Sequence, residues 1–77
     1  MKIYLLISRN YYEGGGQEYN AFDSLKKCKD CAKEKYKLSV RNWSASDNGC
    51  YFYDGKINTL EIPGGFDDFE IRLLEVN

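Results

Sequence analysis

The sequence predicts an α+β domain: an antiparallel β-sheet of four to six strands with one amphipathic helix, at about 24–37, packed on one of its faces. Three observations carry this. One stretch alone has helical periodicity: Leu25, Cys28, Ala32 and Tyr36 recur at three- and four-residue spacing, with Cys31 at the edge of the stripe. Several short runs are β-prone and are bounded by glycine, asparagine and aspartate. A single helix covers only one face of a sheet, so the other is left partly open. The predicted order is β-β-α-β-β-β-β.

Residues 2–8 (KIYLLIS) are apolar on both alternating faces, with Ile3, Leu5 and Ile7 pointing one way and Tyr4 and Leu6 the other. That pattern suits a strand flanked by neighbours. Asn10 to Gly16 reads as a polar, glycine-rich loop, and residues 17–22 (QEYNAF) as a strand returning beside the first. Asp23 or Ser24 supplies the N-cap of the helix, because a short side-chain oxygen there accepts from first-turn N–H groups. Lysines fill the face opposite the apolar stripe, and the helix is expected to end near Lys37.

After the helix, residues 38–43 (LSVRNW) alternate and read as a strand, followed by a loop in SASDNG. The run CYFYDGKINTLEI carries Asp54-Gly55 between two β-prone segments, which predicts a two-residue hairpin. Pro63-Gly64-Gly65 breaks the chain, and residues 69–76 alternate again, with Phe69, Ile71 and Leu73 on one side. Tyr4, Trp43, Tyr51, Tyr53 and Arg72 are then the candidates to line the open face, since large amphipathic rings are the material of binding surfaces.

At 77 residues the chain is read as one domain, 1–77. Seven tyrosines, four phenylalanines and one tryptophan argue against disorder. The net charge of −1 hides an uneven spread. Residues 24–41 hold seven basic groups against two acidic ones, a local +5, whereas residues 42–77 hold two basic against seven acidic, a local −5. Such a dipole steers and orients partners.

Histidine is absent, which removes Ser-His-Asp, Cys-His and His-ligated metal chemistry. No paired carboxylates with a nucleophile or base replace it, so the expectation is that the chain is not an enzyme and uses no cofactor. The alternative of a cysteine-metal domain rests on Cys28, Cys31 and Cys50, and a mid-helix Cys-x-x-Cys lacking a fourth partner reads instead as core packing. Gly14-Gly15-Gly16 lacks the lysine and helix start of a phosphate-binding loop and reads as a hairpin tip. MKIYLLIS turns polar too quickly for a leader and no apolar run would span a membrane, so a reduced, cytoplasmic setting is expected.

The stretch MKIYLLIS…AFDSLKKCKDCAKEKY resembles small α+β proteins of phages and mobile elements, which open with Met-Lys and a hydrophobic strand, continue through a Tyr/Gly loop, and start an amphipathic helix at a Phe-x-Ser such as Phe22-Asp23-Ser24. Compact anti-CRISPR-like inhibitors of bacterial immunity are of this kind. The resemblance implies a non-enzymatic protein-binding module that occupies a surface of a host protein. The residues expected to make contact are Tyr11, Tyr12 and Tyr19 at the loop, Trp43, Tyr51 and Tyr53 on the sheet, and Lys29, Lys33 and Lys37 for steering. A nucleic-acid or nucleotide-binding module, through the lysine face, is the alternative, and a homodimer formed through the open face or an edge strand is a further one.

Overall fold

The structure is a computed structural model and describes residues 1–11, 16–57, 61–62 and 65–76. Five strands and one helix occur among these residues: β1 (Lys2–Arg9), β2 (Gln17–Phe22), α1 (Leu25–Tyr36), β3 (Trp43–Ala45), β4 (Cys50–Tyr53) and β5 (Asp68–Glu75). The strands form one sheet in the order β2-β1-β5-β4-β3, every neighbouring pair antiparallel. The α+β class, the strand pair before the helix and the lone helix follow the sequence reading; the number of strands after the helix is three among the described residues.

Chain ends meet at the middle of the sheet. The first and last strands pair along their whole length, from Lys2 opposite Glu75 to Arg9 opposite Asp68. Beyond them the Val76 N–H donates to the Met1 carbonyl at 2.7 Å. This long pairing makes β5 the central strand and puts β1 between two partners, as its two apolar faces require.

The helix is delimited by its caps. Ser24 is extended and its Oγ accepts from the Lys27 N–H at 3.1 Å, so Ser24 rather than Asp23 is the N-cap. At the other end Lys37 adopts φ 62°, and the Leu38 N–H returns to the Ala32 carbonyl at 3.3 Å. That left-handed residue ends the helix and turns Leu38 into the core. The stripe Cys28, Ala32 and Tyr36 is buried, with Leu25 and Cys31 packed at its margin.

Two expected elements are not seen among the described residues. Residues 38–42 do not make a strand: the Asn42 N–H donates to the Ser39 carbonyl and the Arg41 N–H to Ser39 Oγ, so the chain bends here and β3 starts only at Trp43. Among the described residues no strand returns from Asp54-Gly55. The reversal between β3 and β4 falls in the expected SASDNG loop, where Gly49 has φ 81° and the Ser46 N–H reaches the Cys50 carbonyl at 2.8 Å. The Asp54 N–H donates to the Asn42 carbonyl at 2.7 Å, which extends the β3–β4 ladder instead of folding back on β4. Residues 58–60 of the expected returning strand, Pro63-Gly64, and the tip of the first loop at 12–15 lie outside the described residues.

The core fills one face of the sheet. Leu6, Ile71 and Phe69 point toward Cys28, Ala32 and Tyr36 of the helix, and Leu38, Trp43 and Ile62 complete the buried cluster. Tyr36 and Phe69 have ring centroids 5.0 Å apart, and Phe66 stands edge-on to Tyr36 at 5.3 Å. Tilted and edge-on ring pairs of this kind add roughly 0.5–1.5 kcal/mol each beyond the area they bury. The helix packs on β1 and β2, while Leu38, Ile57, Ile62 and Phe66 from the irregular segments pack into the same core.

Candidate functional site

Strand register sorts every side chain of the sheet to one of two faces, because directly opposed residues share a face and successive residues alternate. Tyr51 lies opposite Ile71 and Trp43 opposite Tyr53, so all three aromatics belong to the helix-covered face. The expectation that Tyr4, Trp43, Tyr51 and Tyr53 line the open face is therefore corrected. Trp43 is only 9% exposed. Its ring stands 5.2 Å from Tyr53, which in turn packs edge-on to Phe69 at 6.3 Å. The polar end of Tyr53 is no obstacle to this, since its hydroxyl accepts the Ser39 N–H at 3.1 Å. Tyr4 and Tyr51 pack against the same core, and the Lys29 ammonium sits 5.4 Å above the Tyr51 ring.

The opposite face carries a different set. A row crosses four strands from Tyr19 on β2 through Ile7 on β1 and Glu70 on β5 to Phe52 on β4. A second row runs Ala21, Leu5, Arg72 and Cys50, and Ile3 pairs with Leu74 beyond it. Among the described residues no element lies across this face. Tyr19 is 55% and Phe52 44% exposed, and Leu74 is exposed two rows further along the same face. The parity of Phe52 on β4 places it outward, and Tyr51 and Tyr53 take the inner positions.

A charge network is set into the middle of this apolar face. Arg9 Nη2 donates to Glu70 Oε1 at 2.5 Å and Arg9 Nη1 to Asp68 Oδ2 at 3.1 Å. From the other side Arg72 donates to Glu70 Oε2 through Nε at 3.2 Å and Nη2 at 3.1 Å. Glu70 is only 4% exposed, so two arginines supply the charge compensation that a buried carboxylate needs. Tyr11 joins at the edge: its hydroxyl donates to Asp68 Oδ2 at 2.9 Å and its N–H to Asp67 Oδ2 at 3.0 Å. That acceptor holds the Tyr11 phenol above its ordinary pKa.

The residues singled out in the sequence thus fall into three places. Tyr11 and Tyr19 belong to the uncovered face, Tyr12 lies outside the described residues, and Trp43, Tyr51 and Tyr53 belong to the core layer. Lys29, Lys33 and Lys37 lie along one flank of the helix, on the far side of the sheet from Tyr19 and Phe52. Sequence reasoning missed Phe52, Leu74 and Arg9 as members of the open face. A signal was present in β5, where Glu70 and Arg72 alternate with Phe69, Ile71 and Leu73 and mark the polar side of the strand.

The three cysteines are free and do not gather. Cys28 and Cys31 are on the helix, whereas Cys50 pairs in register with Arg72 and belongs to the opposite face. Among the described residues no group of three His, Cys, Asp or Glu side chains is placed to hold a metal ion. Burial pushes the Cys28 thiol up to about 12 and raises Cys31 as well, which leaves both as poor thiolates.

No described helix is long and apolar enough to cross a membrane. Comparison of the chain with protein-family models, with curated proteins and with solved structures returns no match.

Proposed function

We propose that the chain is a non-enzymatic protein-binding module that docks a partner protein on the uncovered face of its sheet. One observation carries the reading: Tyr19, Phe52 and Leu74 are exposed on the same face as Arg72, around an internally paired centre of Arg9, Asp68, Glu70 and Arg72 whose charges cancel. Tyrosine, other aromatics and arginine are the residue types that dominate protein interfaces, and an apolar patch around a compensated charge network can be desolvated without stranding a charge. The matching partner surface is apolar at its centre and polar at its rim. The class of partner, a bacterial defence protein, comes from the resemblance of the first half of the chain to phage and mobile-element inhibitors.

The experiment is a matched capture. Wild-type protein and a Phe52→Ser variant of equal thermal stability are immobilised and exposed to bacterial lysate. A protein retained by the wild type and lost by the variant supports the reading. A set of bound proteins identical for the two, or no specific protein on either, overturns it.

A further inference from the structure

The side of the molecule away from Tyr19 and Phe52 carries a second feature. Between the C-terminal half of α1 and the bend that follows it lies a groove of about 530 Å³, lined by Lys33, Lys37 and Arg41 together with Leu38, Ser39 and Val40. It shares Val40 with a neighbouring hollow of about 360 Å³ that Leu25, Lys26, Lys29 and Asp30 also line. The two form one channel along the helix, aliphatic at Leu25, Leu38 and Val40 and cationic along its sides.

The pairing of the helix lysines is selective. Lys26 is paired with Asp30 at 2.8 Å, Lys27 with Asp23 at 2.9 Å, and Lys35 with Glu18. Among the described residues, no carboxylate lies within ion-pairing distance of Lys33, Lys37 or Arg41. Three cations outside any ion pair among the described residues therefore line one groove of a chain whose net charge is −1, with Glu61 beside Lys37 on its far side. Such a site concentrates positive potential where a ligand enters.

We infer that this groove binds an extended acidic peptide segment of a partner protein, with carboxylates on Lys33, Lys37 and Arg41 and an aliphatic side chain at Val40 and Leu25. Lys29 on the helix and Tyr36 at its end are seven residues, or about 10 Å, apart, with Lys37 next at the C-cap, a distance that roughly three to four extended peptide residues span. An acidic peptide fits better than a nucleic acid strand. Single strands are held by bases stacked on exposed rings, and the channel is aliphatic; the nearby Tyr51 ring already carries the Lys29 ammonium. The inference is independent of the sheet-face reading, because the groove and the uncovered face are on opposite sides of the sheet.

The test is fluorescence anisotropy with the full chain and a labelled octapeptide, Asp-Glu-Leu-Glu-Asp-Val-Glu-Asp, against a labelled single-stranded octanucleotide. The expected result is saturable peptide binding at low ionic strength that weakens as salt rises. It should fall about tenfold or more in a Lys33→Glu/Arg41→Glu variant, since two attractions become repulsions. It should also weaken in Val40→Asp and persist in Phe52→Ser. Circular dichroism of each variant verifies the fold. Absence of peptide binding, unaltered binding by the charge-reversed variant, or tighter binding of the oligonucleotide would each overturn the assignment. Loss of peptide binding in Phe52→Ser alone would move the site to the sheet face and overturn it equally.

Discussion

Arg9 reaches diagonally across the boundary between β1 and β5 to Glu70, although the strand register sets Asp68 opposite it. One guanidinium therefore ties two carboxylates of the central strand, and Glu70 receives a second arginine from Arg72 two residues along. Replacing Arg9 by alanine leaves a largely buried carboxylate with half its compensation, and the expected cost is about 1–3 kcal/mol. Glu70→Gln keeps an acceptor oxygen for only one arginine, turns an NH2 donor toward the other and removes the charge that both share, so it should cost at least as much. Urea unfolding of the two variants checks the order; an Arg9→Ala midpoint equal to wild type would contradict it.

The acid side of the stability curve is expected to involve Glu18. Its carboxylate accepts from Lys35 and from the Tyr36 hydroxyl at 2.5 Å, which hold it below its ordinary pKa in the folded state. A carboxyl depressed on folding stabilises at pH above its unfolded value, and that contribution is lost as pH falls through the folded value. Wild type should therefore lose more stability between neutral pH and about pH 3 than Glu18→Gln does. Equal losses in parallel denaturant titrations would show that Glu18 is not a source of the acid sensitivity.

How far these elements were legible depends on whether a segment's signal was local. The helix was, because Ser24, the Cys28–Ala32–Tyr36 stripe and the stop near Lys37 all act within a few residues of one another. Strands β1, β2 and β5 were, because each presents several alternating residues. The inner and outer faces of β4 were not. Cys50 and Phe52 alternate with Tyr51 and Tyr53, so both parities are apolar, and only long-range pairing with Ile71 and Trp43 selects one. The Asp54-Gly55 signal is local, but the Asp54 N–H continues the β3–β4 ladder through Asn42, a partner twelve residues away. The SASDNG loop closes through residues 46–49 with Gly49 at positive φ, and the reversal there lets Trp43 pair with Tyr53 inside the core. Those two non-local choices decided which aromatics the open face displays.

The helix terminus offers a stabilising change. Lys37 occupies the left-handed region at φ 62°, where a side chain is strained and glycine is not. Lys37→Gly should raise stability by about 0.5–1 kcal/mol. A lower thermal midpoint for the variant would mean that the Lys37 side chain contributes more than its backbone costs.

Thiol chemistry should separate the cysteines. With its thiol pushed up to about 12, Cys28 holds a thiolate fraction of only ~10⁻⁴ at pH 8, and it is fully buried. Iodoacetamide treatment of the native protein should leave Cys28 unmodified in peptide mass spectra, and unfolding in urea should release it. Native-state labelling at the unfolded rate would contradict the packing of the helix on the sheet.

The most direct test of the central claim is the affinity of the captured partner for single alanine variants on both faces, measured by calorimetry at constant ionic strength. Tyr19→Ala and Phe52→Ala are expected to weaken binding by about thirtyfold each, the scale of an interface hot spot near 2 kcal/mol. Tyr51→Ala, on the helix-covered face, should lower thermal stability and leave the affinity of the folded protein within about threefold of wild type. Unchanged affinity in Tyr19→Ala and Phe52→Ala would contradict the claim that the uncovered face is the docking surface.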